Sequence, residues 1–129
     1  MVNKIRRKRV YVAGKLNDMA CAYIQNVYKM CTAAERVRKA GFAVFVPGID
    51  LVMGLIHGNW TYEDYFENSQ PWLDASDAVF VTASWKTSVG TRREIERAEA
   101  QGIPVFYTLA ALVEWNKEQG DDNGSNSIS

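Results

Sequence analysis

Cysteine, proline and histidine are scarce in this sequence, with two, three and one among 129 residues. Cys21 and Cys31 fall in one predicted helix. Ten helical residues span about 15 Å, whereas a disulfide needs Cα atoms within about 7 Å. With that pairing excluded and no CxxC present, the expected compartment is the reducing cytoplasm. One histidine and two distant cysteines do not make a zinc site, so no metal is expected. No apolar run approaches the roughly 20 residues that cross a bilayer. The stretch Val10–Gly14, followed by Lys15, is too short for a signal peptide. Charge of one sign is also lacking: 15 Lys and Arg balance 15 Asp and Glu. Neither a nucleic acid polymer nor a membrane is expected as partner. Lys4, Arg6, Arg7, Lys8 and Arg9 do cluster, and residues 1–9 read as a solvated basic arm.

What is present is an alternation of strand and helix patterns within the length of one domain. Arg9-Val-Tyr-Val-Ala-Gly14 reads as a buried strand ending at a glycine. Asn17 or Asp18 then caps a helix whose apolar face is Met19, Tyr23, Val27, Met30, Ala34 and Val37. Gly41 stops it. Phe42–Val46 is a second strand, closed by Pro47. Gly48–Trp60 contains three glycines and reads as a long loop, a place where function often sits. Thr61-Tyr-Glu-Asp64 resembles a capping box and opens a helix to about Ala75. Ala78–Ala83 is a third strand, Gly90–Gln101 a helix, Pro104–Tyr107 a fourth strand and Thr108 to about Gln119 a last helix. The small, polar remainder 120–129 reads as a disordered tail. Short apolar strands alternating with helices imply a three-layer α/β/α domain over residues 10–119. The expected fold is Rossmann- or flavodoxin-like, with a parallel sheet of four to five strands. Ligands of such sheets bind beyond the carboxyl ends of the strands, which selects Gly14–Asp18, Pro47–Trp60 and Ser84–Glu94.

The third of these segments carries the sharpest chemistry. A strand leads through a polar loop into a helix start at Ser88-Val-Gly-Thr-Arg-Arg-Glu94. Unsatisfied N–H groups there favour an anion such as phosphate. Gly90 permits close backbone approach, and Ser88 and Thr91 add hydroxyls. Glu94 is expected in the first turn, where the helix dipole keeps a carboxylate ionised. An ionised carboxylate beside an anion site suits attack on a sugar C1, which develops oxocarbenium-like charge as a base departs. The competing reading is that Thr91 and Glu94 form a capping box without any substrate. Asp77 is either a ligand contact or a turn residue before its strand. His57, in the long segment, is either a lid residue over a base or a solvent-exposed loop histidine, and Trp60, Tyr62, Tyr65 and Trp85 are candidates to stack on a base or to serve core and interface.

The pattern Ser88-x-Gly90-x-x-x-Glu94, followed by Ala98, resembles the signature of the nucleoside 2-deoxyribosyltransferase superfamily. The likeness extends to Tyr11-Val-Ala-Gly14, Tyr62-Glu-Asp-Tyr65, Trp72-Leu-Asp74, Ser76-Asp77-Ala78, Trp85-x-x-Ser88 and Gly102-Ile-Pro-Val105, together spanning most of residues 10–107. It implies that Glu94 is the nucleophile or catalytic carboxylate for a nucleoside or nucleoside 5′-monophosphate. It also implies that Gly14, Lys15 and Asn17 line the phosphate or sugar pocket, that no cofactor is needed, and that the protein is a homodimer or larger homo-oligomer. Gly90-Thr91-x-x-Glu94 also resembles the cytokinin-activating phosphoribohydrolases, which cut the same kind of bond, although Thr87-Ser88-Val89 stands where they carry Pro-Gly-Gly. Where glycosidases of the first superfamily commonly carry an Asp, this chain has Ser69. Either Asp18, Asp50 or Glu67 substitutes, or the protein is a non-catalytic nucleotide-binding module.

Overall fold

A computed structural model describes residues 7–14, 20–82 and 85–128. Its elements in chain order are β1 (Arg9–Ala13), α1 (Ala20–Lys39), β2 (Ala43–Phe45), a 3-10 turn (Pro47–Asp50), α2 (Leu51–His57), α3 (Tyr62–Asp74), β3 (Ala78–Val81), a second 3-10 turn (Trp85–Thr87), α4 (Val89–Ala100), β4 (Val105–Phe106) and α5 (Leu109–Ile128). All four strands pair in parallel in the order β2-β1-β3-β4. The expected α/β class and parallel four-stranded sheet are therefore present.

The three layers follow from the alternation of side chains along each strand. Val10 and Val12 of β1 and Ala78 and Phe80 of β3 point to one face. There they meet Met30, Ala34 and Val37 of α1 and Leu112 of α5. Tyr11, Ala13, Val79 and Val81 point to the other, against Leu73 of α3 and Ile95 and Ala98 of α4. Both faces are covered, which is why these strands read as continuous apolar runs. Helices α3 and α4 are also tied at their solvent side. Arg97 makes a two-pronged pair with Asp74 at 2.8 and 2.6 Å, and Arg93 reaches Glu63 at 3.2 Å.

Local signals account for most element ends. Gly41 follows α1 at φ 106°, a left-handed conformation that only glycine adopts freely. Thr61 caps α3 in both directions: its hydroxyl accepts from Asp64 N at 3.2 Å, and its own N–H donates to Asp64 Oδ2 at 2.7 Å. The segment 48–60 departs from the expected loop, because it holds a 3-10 turn and the helix α2. Its glycines have other roles. Gly58 ends α2 at φ 72°. Gly54 makes room for Tyr65, whose hydroxyl would lie 1.7 Å from an added Cβ. At the far end, α5 stays helical through Gly120 and Gly124 to Ile128, beyond the end at Gln119 and the tail assigned to 120–129 from composition. No described helix is long and apolar enough to cross a membrane.

Candidate functional site

In the order β2-β1-β3-β4 the chain turns one way after β1 and the other way on entering β3, so the crevice between the carboxyl ends of β1 and β3 is the switch point of the sheet. A cavity of about 680 Å³ opens there. Gly14 borders it beyond β1, Pro47 and Asp50 beyond β2, and Thr87–Thr91 beyond β3. Trp60, Tyr62, Tyr65, Phe66, Ser69 and Gln70 supply the remaining wall, with Arg93 and Glu94 from α4. Trp60 and Tyr65 pack ring to ring at 4.9 Å. The Arg93 guanidinium lies 3.6 Å above the Phe66 ring, a cation–π contact that holds it at the cavity edge.

Glu94 is 9% exposed and borders this cavity. Its Oε2 accepts a hydrogen bond from the Tyr11 hydroxyl, at the centre of β1. Tyr11 is fully buried, and a buried phenol needs a polar partner. Burial pushes the Glu94 carboxyl up to about 7, while the hydrogen bonds from Tyr11 and then from Gln70 pull it part of the way back. Tyr11 itself is held well above the ordinary phenol value, first by burial and next by the Glu94 charge, so it remains a donor at any working pH. Asp50 is also raised, by burial, against an opposing hydrogen bond from Asn68.

This geometry excludes the capping reading of Glu94. The cap of α4 is Ser88, whose Oγ accepts from Thr91 N at 3.1 Å and from Thr91 Oγ1 at 2.8 Å. The Thr91–Glu94 capping box is not the cap. With Ser88 at the cap, Glu94 lies in the second turn, beyond the reach of the dipole. Burial therefore prevails over the helix terminus, and the expected ionised carboxylate becomes one that titrates near neutrality.

The other expected site residues divide. Gly14, Trp60, Ser88, Gly90 and Thr91 border the cavity with Glu94. Gly14 has a packing role as well, since a Cβ there would come within 2.3 Å of Thr82 Oγ1. Lys15 and Asn17 lie outside the described residues. Asp77 starts β3 at the opposite end of the sheet, where its Oδ2 accepts from Arg9 N at 2.7 Å, so the turn role accounts for it. Trp85 packs against Tyr107 at 5.2 Å and joins the core beneath α4, away from the cavity lining. His57 ends α2, exposed. Tyr62 and Tyr65, expected to stack on a base, line the cavity, whereas Tyr11, Gln70 and Phe66 were not expected at a site. The one signal for Tyr11 was a phenol inside an otherwise apolar strand. Gln70 is 3% exposed, and its Oε1 has no hydrogen-bond partner while its Nε2 donates to Ser69 Oγ at 3.1 Å.

Comparison with known proteins places residues 8–107 in a match to the family described as domain of unknown function DUF4406. No curated protein matches. Among solved structures, a conserved protein from Enterococcus faecalis V583 superposes with a TM-score of 0.55 at 20% identity, covering 78% of this chain. This chain spans 62% of that protein's length. A 2-deoxyribosyltransferase from Bacillus psychrosaccharolyticus superposes with a TM-score of 0.53 at 22% identity, covering 75% of this chain and 69% of its own. At such identities the likeness is one of fold.

Proposed function

The chain belongs to the DUF4406 family, and from its site we propose that it breaks the N-glycosidic bond of a nucleoside or nucleoside 5′-monophosphate, passing the sugar to water or to a second base. The observation that carries this reading is the placement of Glu94: buried, held by a phenol and facing a cavity of nucleotide size. The fold shared with a 2-deoxyribosyltransferase supports it, as does the superfamily pattern around Ser88, Gly90 and Glu94.

In this reading the base stacks against the wall of Trp60, Tyr65 and Phe66. The sugar lies toward Gly14 and Glu94, and a 5′-phosphate meets the start of α4 at Ser88, Val89 and Gly90. The Tyr11 hydroxyl fixes one carboxylate oxygen and leaves the other to face C1. Glu94 acts in its ionised form, either bonding to C1 or stabilising positive charge there. Exposed apolar side chains on α1 and α2, among them Ile24, Tyr28, Val52, Met53 and Ile56, fit a homo-oligomer, which sedimentation would read directly.

The test is release of free base, followed by chromatography, from a panel of nucleosides and their 5′-monophosphates. Wild type releases base from at least one member and Glu94→Gln from none. Full activity in Glu94→Gln, or no release by wild type, refutes the proposal. A second reading rests on Ser69, the uncharged residue at a position where related glycosidases carry Asp: a non-catalytic nucleotide-binding module. Stabilisation in thermal melts with the same panel, without turnover, would favour it.

A further inference from the structure

Asp50 occupies a position whose ordinary role it does not perform. It is the N-cap residue of α2, where an Asp side chain normally accepts from a backbone N–H two or three residues on. Here the carboxylate makes no such bond. Its Oδ2 instead accepts from Asn68 Nδ2 of α3 at 3.3 Å, and the residue borders the same cavity as Glu94. Its charge also acts on the hydroxyls of Tyr11, the partner of Glu94, and of Tyr65 in the aromatic wall. Asp50 thus borders the cavity that holds both the wall suited to a base and the carboxylate suited to a sugar.

N-glycosidic cleavage needs two groups of opposite duty. One must meet the positive charge at C1, and the other must supply a proton to the departing base. Among the described lining residues the carboxylates are Glu94 and Asp50. Arg93 is permanently charged and cannot release a proton. The Tyr65 phenol is pushed up, chiefly by burial and then by Asp50, and is a poor acid.

We propose that Asp50 is the second catalytic carboxylate, protonating the leaving base while Glu94 meets C1; this rests on the N-glycosidase reading above. As the C1–N bond breaks, its electron pair leaves with the base. The Asp50 proton moves to a base ring nitrogen, and a Glu94 oxygen bonds to C1. A water then attacks C1, its proton passes to the Asp50 carboxylate, and the C1–Glu94 pair returns to Glu94. The sum is one water consumed, with sugar and neutral base released. The productive form thus carries one proton, on Asp50, with Glu94 ionised. Positive charge forming at C1 favours the arrangement in which Glu94 is the ionised member.

The test compares Asp50→Asn, nearly isosteric, with wild type on two kinds of leaving group. One is an unmodified nucleoside 5′-monophosphate that wild type cleaves. The other is its activated counterpart, N7-methylated for a purine or 5-fluorinated for a pyrimidine, which needs proton transfer little or not at all. Loss of a general acid is expected to lower kcat roughly 10²- to 10⁴-fold on the first and less than about tenfold on the second, with Asp50→Glu regaining part of the loss. Glu94→Gln loses both. Thermal melting of each variant reports folding. Equal losses on the two substrates, or no loss on either, overturn the role of Asp50 while the N-glycosidase reading stands. Absence of base release by wild type from any substrate overturns both.

Discussion

Replacing Glu94 by Gln should make the protein more stable, and by an amount that depends on pH. The carboxyl titrates near 7 in the folded chain against an ordinary value of 4.5. Between those values the folded state holds a proton that the unfolded state has released, so stability falls as pH rises. The contribution is fully present below about pH 4.5 and lost by the time pH has passed through about 7. Two and a half units correspond to about 3 kcal/mol, at about 1.4 kcal/mol per unit. Gln carries no charge to desolvate, and its carbonyl can still accept from Tyr11. The two proteins are therefore expected to match near pH 4.5, and the variant to lead by about 3 kcal/mol above pH 7.5. For a domain of this length that is roughly 10 °C or more in Tm. Urea unfolding of both proteins at half-unit steps from pH 4.5 to 8.5 measures the difference directly. A difference that does not change with pH, or one in which wild type gains on Gln as pH rises, would refute the claim that burial governs this carboxylate. The stabilising direction sets the residue apart from a structural one, since sites that hold a strained or desolvated group for function are where stability can be gained at the cost of activity.

Other outcomes follow from the same geometry. Base release from the activated substrate, which needs no acid, should rise with pH through about 7 as Glu94 ionises, whereas release from the ordinary substrate should fall as the last carboxyl proton is lost; Tyr11→Phe should move the rise to higher pH, because the lost hydrogen bond lowers the Glu94 value, and an unmoved pH–rate profile would count against it. Gly54→Ala should destabilise by roughly 1–3 kcal/mol and weaken ligand binding, since its Cβ displaces Tyr65 from the cavity wall; denaturant unfolding and a binding titration check the two parts. Thr61→Ala removes half of the reciprocal cap of α3 and should cost about 1 kcal/mol, read as a lower urea midpoint without a change in slope.

The strands and most helices were legible because their signals are local. The continuous apolar runs Val10–Ala13 and Ala78–Val81, the cap at Thr61 and the stop at Gly41 each require only neighbouring residues. The helix α2 was hidden for the opposite reason. Gly48, Gly54 and Gly58 look alike in sequence, yet Gly54 is inside the helix to admit a ring from α3, a requirement that only tertiary packing sets. Glu94 was found by its motif, but its protonation was misjudged. The dipole argument uses position along the helix, whereas the decisive quantity is how the sheet and α3 exclude water from that carboxylate. Ser88 displaced Thr91 as the cap because the helix begins one residue earlier than Gly90 suggests. Tyr11 and Gln70 meet Glu94 across 83 and 24 residues of chain, beyond any local pattern, whereas Asp50 was among the carboxylates offered in place of the family Asp.

The hydrogen bond from β1 to Glu94 has a further implication. The group proposed to do the chemistry is anchored to the most deeply buried strand, whereas Trp60, Tyr65 and Phe66 hang from the outer helical segment that begins after β2. Glu94 and the aromatic wall thus rest on separate supports, with Asp50 at the start of the second. In the proposed reading, substitutions along α2 and the start of α3 that spare Asp50 retune which base is accepted without disturbing Glu94, and divergence of substrate among sister proteins should concentrate in that segment.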